Sequence, residues 1–426
     1  MQILVSILIF SAIVLFHEFG HFLFAKLNGI KVLEFCLGLG PTVVGKKIGE
    51  TYYSIKALPF GGACMMAGED SDEYGEDTFN NKSVLARISV VFAGPFFNFI
   101  LAFILSIFVI YAGGYDAPII KNVLVNSPAY DAGLRDGDEI LKINDRNIYL
   151  VRDFNLFNFM NKDNTLPVNI KYKRNNEVFK ATIEPRYIEK YSLGISYDNT
   201  GIPKILSFAD DSPLKDYAKE GDYIIEINNT KLEKGTDLVN YLNKTPLTNK
   251  VVNLKLQRND KIIDVNVLPK FSGKFLSYGF DMIDYRLPAK SFNLIKYSFL
   301  EVRYFVVSTI DSLKMIVTGK VSTNDVSGPV GIVNYIGNTY NESKKQGTVV
   351  LNMMFITILL SSNLGVMNLL PIPALDGGRL VFLLLELIFR KPVINQKVEA
   401  IMNTISFYLL LGFIFFITFK DILKLF

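Results

Sequence analysis

Five residues constrain this chain more than any others. His17-Glu18-Phe19-Gly20-His21 lies inside an apolar run that extends from Ile3 to Ala25. The chain has two histidines, and both are here. Four residues apart on a helix, two side chains share one face, so both imidazoles can reach one zinc ion. Glu18 stands beside them, placed to take a proton from water that the metal activates. A charged group at mid-bilayer costs roughly 2.5–3.5 kcal/mol on insertion scales, so ionisable groups in a span point to function. HExxH is a short pattern that also arises by chance in soluble helices. The apolar setting and the lack of any other histidine favour the metal. Two ligands do not make a catalytic zinc site, and a third must come from elsewhere.

Composition agrees with a membrane protein that carries a sizeable water-soluble part. Of 426 residues 50% are hydrophobic, with a mean hydropathy of +0.27. A net charge of +4 gives no reason to expect nucleic acid as a partner. Cys36 and Cys64 form no disulfide-rich pattern and read as free thiols.

In chain order, residues 1–25 read as a retained first transmembrane helix, since no small-residue cleavage site follows the apolar run. Residues 26–87 hold glycines at 38, 40 and 45, Pro41, and a strand-like Tyr52–Leu58 stretch leading to Pro59-Phe60-Gly61-Gly62. A short β-hairpin or membrane-associated loop is expected there, followed by a solvated acidic loop from Glu69 to Asp77. A second span is expected over 88–115, opened or kinked at Gly94-Pro95, with Asn98 in need of a polar partner. The other reading starts a helix at Pro95.

From 116 to 270 the texture turns β-rich. Ser127-Pro128-Ala129, Ala132-Gly133-Leu134, Gly137-Asp138 and Ile143-Asn144 recur in fainter form, about 85 residues later, as Ser212-Pro213-Leu214, Gly221-Asp222 and Ile227-Asn228. These resemble the signature of bacterial PDZ domains and imply two modules, 116–188 and 189–270. Leu193-Gly194-Ile195 resembles the PDZ loop that holds a peptide carboxylate. A plain spacer or gate remains the other reading of both modules. Residues 271–346 form a linker expected to hold a surface or interfacial amphipathic helix between Lys290 and Lys320. Residues 347–375 should give a third span, which Pro371 and Pro373 must end or unwind behind Asn368. Asp376 is then a candidate third zinc ligand, or an N-cap for the helix that begins near Gly377. A short helix and loop over 376–399 and a fourth span over 400–420 complete the chain.

With these pieces placed, the sequence resembles the site-2 protease family of intramembrane zinc metalloproteases. The likeness is to the bacterial regulator-of-sigma-E protease type, with tandem PDZ domains between spans. His17–His21 fits the family's HExxH, Ala93-Gly94-Pro95 with Asn98 fits the second span, and Asn368 to Gly378 fits its "NxxPxPxLDGG" element. The resemblance implies a multi-pass α-helical membrane protein with about four transmembrane helices and two inserted α+β PDZ domains. It implies one zinc ion held by His17, His21 and Asp376, Glu18 as general base, and Asn368 assisting substrate or oxyanion. One departure is Ala63-Cys64-Met65-Met66, where the family usually has Tyr-Val-Lys-Met after the glycine pair.

The implied activity is hydrolysis of a peptide bond inside the membrane segment of a single-span protein, such as a pre-trimmed anti-sigma factor. Clearance of leftover signal peptides by the same chemistry, or a non-catalytic PDZ scaffold, are the competing readings. Partners are then the substrate, the lipid bilayer and, at the PDZ modules, a C-terminal peptide. Lys26, Lys31, Lys46, Lys47, Lys56, Lys82 and Arg87 follow the first span; Arg379, Arg390, Lys391 and Lys397 precede the fourth. By the positive-inside rule both loops face the cytoplasm, and the PDZ pair lies outside the inner membrane of a bacterium.

Overall fold

The computed structural model describes residues 2–69, 75–161, 164–198, 200–321, 327–392 and 394–424. Most of the expected acidic loop, at 70–74, lies outside the described residues. The chain divides into two compact units, Met1–Ala117 with Asp284–Phe426, and Pro118–Ile283.

The first unit opens with helix α1, Gln2–Leu27. Strands β1, Val32–Ile48, and β2, Thr51–Met66, then form one antiparallel hairpin closed by Gly49-Glu50. The expected short hairpin is instead long. Its pairing is interrupted by repeated register shifts, and Gly38 and Gly40 sit at positive φ, where side chains are strained. Leu39, Val43, Val44 and Leu58 on it are exposed. Helix α2, Val84–Gly113, begins earlier than expected because the Ser83 hydroxyl caps it, accepting from the Ala86 N–H at 3.3 Å. Pro95 lies inside this helix and neither starts nor opens it. A proline removes one backbone donor, and α2 continues for more than four turns beyond it.

The second unit is the β-rich insert. Its first module comprises β3 (Ile120–Val123), α3 (Pro128–Asp131), β4 (Glu139–Ile143), β5 (Arg146–Asn147), α4 (Val151–Met160), β6 (Val168–Arg174) and β7 (Glu177–Ile183). After β8 (Arg186–Ser192), the second comprises β9 (Ile195–Asp198), β10 (Lys204–Phe208), β11 (Tyr223–Ile227), β12 (Thr230–Lys231), α5 (Gly235–Lys244), β13 (Val252–Arg258) and β14 (Lys261–Val267). Strands β15 (Lys270–Ser277) and β16 (Phe280–Met282) follow. They alter the expected tandem boundaries at 188 and 270. β15 pairs with β8, and β16 returns to pair with β3. The second module is therefore nested in the first, whose core of Leu134, Ile140, Phe154 and Ile170 includes Tyr278 and Phe280. The second core, around Ile224, Leu238, Leu254 and Val265, is separate.

The repeated Gly-Asp and Ile-Asn pairs now have a physical account. Asp138 is buried, takes the Arg135 N–H at 2.8 Å and pairs with Arg174 at 2.7 Å. Asp222 does the same with Lys219 N–H and Arg258, both at 2.8 Å. Asn144 and Asn228 adopt positive φ, which asparagine tolerates. Each accepts a strand N–H, from Asn169 and Asn253, at 2.9 Å.

The chain then returns to the first unit through α6 (Phe292–Val317), α7 (Pro329–Gln346), α8 (Val349–Asn368), α9 (Asp376–Phe389) and α10 (Gln396–Leu423). The expected surface helix, α6, is instead half embedded: Val302 and Phe305 pack with Ala102 and Val109 of α2 and Ile358 of α8. Pro329 takes the first position of α7, where its missing N–H costs nothing. Among the described residues, four helices are long and apolar enough to cross a membrane: Ile3–Leu27, Val84–Gly113, Val349–Asn368 and Lys397–Leu423.

Candidate metal centre

The crossing of α1 and α2 builds the centre. A Cβ on Gly20 would fall 2.3 Å from the Ala93 carbonyl oxygen, so these backbones meet only because residue 20 is glycine. A Cβ on Gly94 would fall 2.2 Å from His21 Nε2 and 2.9 Å from His17 Cε1. Gly94 thus leaves the cradle in which both imidazoles lie, and both are buried.

The third group arrives from the far end of the chain. Helix α8 stops at Asn368, and Ala374 adopts positive φ with its N–H donated to Asn403 Oδ1 at 3.1 Å. This irregular backbone brings in Asp376 as the first residue of α9. Leu375, not Asp376, holds the N-cap position, so the capping role is not the one the aspartate plays. Gly377 and Gly378 let α9 start tightly, since a Cβ on either would strike backbone of residues 369–373. Asp376 Oδ2 lies 3.2 Å from His17 Nε2 and 3.6 Å from His21 Nε2. The two Nε2 atoms are 3.2 Å apart. One ligand atom from each of the three residues lies within 4.8 Å of the others.

The donor set fits a metal. Asp376 Oδ2 is buried with no hydrogen-bond partner. The His21 Nδ1–H donates to the Val90 carbonyl at 2.9 Å, which leaves Nε2 bare for coordination. Two imidazoles and one carboxylate are a known catalytic set for zinc, with the fourth position open. Among the described residues neither cysteine joins this group. Cys36 and Cys64 are free and buried in the hairpin.

Glu18 is half-buried on α1. Its Cγ lies 3.0 Å from where a Cβ on Gly62 would be, so strand β2 passes directly beside it. Asn368 Nδ2 is 3.5 Å from both ring nitrogens of His17. The close approach of Gly62 and the roles of Gly94 and Val90 escaped the sequence; a Gly-Pro pair beside an unsatisfied Asn98 was their only trace.

Residues 5–413 match peptidase family M50. The chain belongs to this family, the site-2 proteases. A Clostridium perfringens protein provisionally assigned as a zinc metalloprotease is 33% identical over 426 residues, with 99% of each chain covered. The regulator of sigma-W protease RasP of Bacillus subtilis is 29% identical over 451 residues, covering 100% of this chain and 99% of its own. The regulator of sigma E protease of Haemophilus influenzae is 30% identical over 448 residues, covering 98% of each. A site-2 protease is a membrane-embedded metallopeptidase, and among the described residues His17, His21 and Asp376 form a group that could hold a metal ion.

The other predicted site, Leu193-Gly194-Ile195, lies in the second module of the insert. Gly194 has positive φ and accepts the Ala209 N–H at 2.8 Å, and Ser212 Oγ donates to the Leu193 carbonyl at 2.8 Å. The loop heads a groove of about 570 Å³ between β9 and α5, lined by Ile195, Tyr197, Phe208, Leu238, Leu242 and Leu247 among others.

Proposed function

We propose that this protein is an intramembrane zinc metalloendopeptidase that hydrolyses a peptide bond within the membrane segment of a single-span protein. The convergence of His17, His21 and Asp376 from opposite ends of the chain, between helices fit to span a membrane, carries this reading. The three residues hold zinc. When bound, zinc polarises a carbonyl and lowers the pKa of water toward about 7. Glu18 takes the proton and returns it to the leaving amine. Asn368, whose amide nitrogen lies beside the His17 ring, steadies the substrate carbonyl. A helical substrate hides its carbonyls in i→i−4 bonds and must unwind first. The edge of β2 beside Glu18 offers an extended partner to the unwound strand, by the pairing rule of sheet edges.

The names of the relatives favour a substrate that restrains a sigma factor, an anti-sigma protein already trimmed outside the membrane. The groove beside Leu193-Gly194-Ile195 takes an apolar C-terminal peptide. Charge asymmetry puts the hairpin and the metal centre toward the cytoplasm, with the insert outside the inner membrane of a bacterium.

The test is Glu18→Gln in proteoliposomes with a trimmed single-span substrate. Zinc should be retained at one equivalent while cleavage falls at least ~10²-fold, the low end of what a general base contributes. Turnover within tenfold of the parent protein would refute the role of Glu18.

A further inference from the structure

Asn98 lies on α2, fully buried, with its backbone carbonyl accepting from Ser361 Oγ at 2.8 Å. Its amide group stands 3.2 Å from His17 Nδ1, drawn with the nitrogen toward the ring. In that orientation Oδ1 is buried and has no partner. It also makes Nδ1 an acceptor, so the proton of a neutral imidazole would sit on Nε2. Nε2 is the atom that faces His21 and Asp376, and a protonated nitrogen cannot ligate a metal.

The two ends of a carboxamide are nearly indistinguishable in shape and are assigned from their hydrogen bonds. Turned by half a rotation, the same group presents Oδ1 to the ring at the same place. The His17 Nδ1–H then has an acceptor, and Nε2 is left bare. Asn368 does not settle the tautomer, because its amide nitrogen is 3.5 Å from both ring nitrogens and favours neither. His21 meets the same need through the Val90 carbonyl, on the same helix two turns earlier.

We propose that Asn98 is a positioning residue, whose side-chain carbonyl accepts the His17 Nδ1–H and holds Nε2 toward the metal. With Val90, it lets one helix orient both imidazoles, from either side of Gly94. This rests on His17 being a zinc ligand, and the experiment separates the two claims.

The full-length protein in detergent is titrated with zinc against a competing chelator, for the parent, Asn98→Asp and Asn98→Leu. Aspartate keeps an acceptor at the same place; leucine keeps the bulk and removes it. Asn98→Asp should bind zinc as the parent does, and Asn98→Leu about 10–100-fold more weakly, the usual effect of losing a partner behind a ligand. Thermal unfolding of the zinc-free proteins reports packing alone and should not follow this order. A second measurement needs no variant. With only two histidines in the chain, nitrogen NMR of the histidine-labelled, zinc-loaded parent should show both rings bound through Nε2 and protonated on Nδ1. Equal zinc affinity in parent and Asn98→Leu, equal weakness in Asn98→Asp and Asn98→Leu, or a zinc-loaded parent in which His17 lacks a proton on Nδ1 would each overturn the proposal. A parent that binds no zinc would instead remove the metal-site reading beneath it.

Discussion

Asp376 is the residue on which the proposed metal centre depends, because no third histidine exists and, among the described residues, neither buried cysteine joins the candidate ligand group. Its Oδ2 is buried without a hydrogen-bond partner, facing two imidazole nitrogens. Burying a charge without a partner costs several kcal/mol, so a cation at this point resolves what the protein alone leaves open. Asp376→Asn should therefore weaken zinc binding by more than about 100-fold, beyond the effect of losing an outer partner, and abolish cleavage. Cys36→Ala with Cys64→Ala should keep the zinc, at some cost in packing. Zinc content after dialysis measures both, and a cysteine pair that loses zinc while Asp376→Asn keeps it would reassign the third ligand.

At the scale of elements, two helices meet through glycine, and each module pairs a buried aspartate with a partly exposed arginine. Gly20→Ala places a methyl against the Ala93 carbonyl and should cost about 1–3 kcal/mol by overpacking, read as a lower melting temperature of the zinc-free protein. Gly94→Ala places it against His21 Nε2 and should cost zinc affinity as well. Equal zinc binding in the two variants would contradict the cradle. In the insert, burial pushes the Asp222 carboxyl up, but the Arg258 guanidinium and the Lys219 N–H outweigh it and hold it below the usual carboxylate range. A depressed folded pKa stabilises above the unfolded value and is lost as pH falls through the folded one. Arg258→Leu should lower protection of β11 and β13 at neutral pH, because it leaves the Asp222 carboxylate without its cation. The gap between variant and parent should close as pH drops below about 4. Hydrogen exchange on the full chain follows both, and a gap that persists in acid would deny the pair its role.

For the whole molecule, charge asymmetry predicts which side of the membrane each part faces. The natural cysteines cannot report it, because both are buried. Lys46, near the hairpin turn, and Lys180, on β7 of the insert, are exposed. Positive-inside charge predicts opposite sides for them. In intact cells a membrane-impermeant maleimide should label Lys180→Cys and spare Lys46→Cys until the membrane is opened. The reverse pattern would invert the proposed topology. The nesting of the second module within the first adds a constraint: the strand that completes the first sheet pair, β16, is made after the whole second module. Tyr278 and Phe280 from that return segment complete the first module's core.

Much was legible in sequence because it depends on local spacing. An i, i+4 histidine pair needs only a helix to share a face, and uncharged runs of twenty residues need only a bilayer. The Gly-Asp and Ile-Asn repeats were readable because the glycine and asparagine in them take turns at positive φ, a local demand. What sequence left open was set by contacts between distant segments. Whether Asp376 faces the two histidines or caps a helix depended on the path of the seven residues between α8 and α9, and α10 helps hold that path through Asn403. The course of α2 through Pro95 depended on a cap at Ser83 and on packing against α8 and α6. The length of the hairpin, the embedding of α6 and the return of β16 to β3 left no local mark, because a strand's partner is chosen by the three-dimensional neighbour it meets. The residues that make the site were written in the sequence, and the distances that let them act as one arise only when the first span, the second span and the end of α8 pack together.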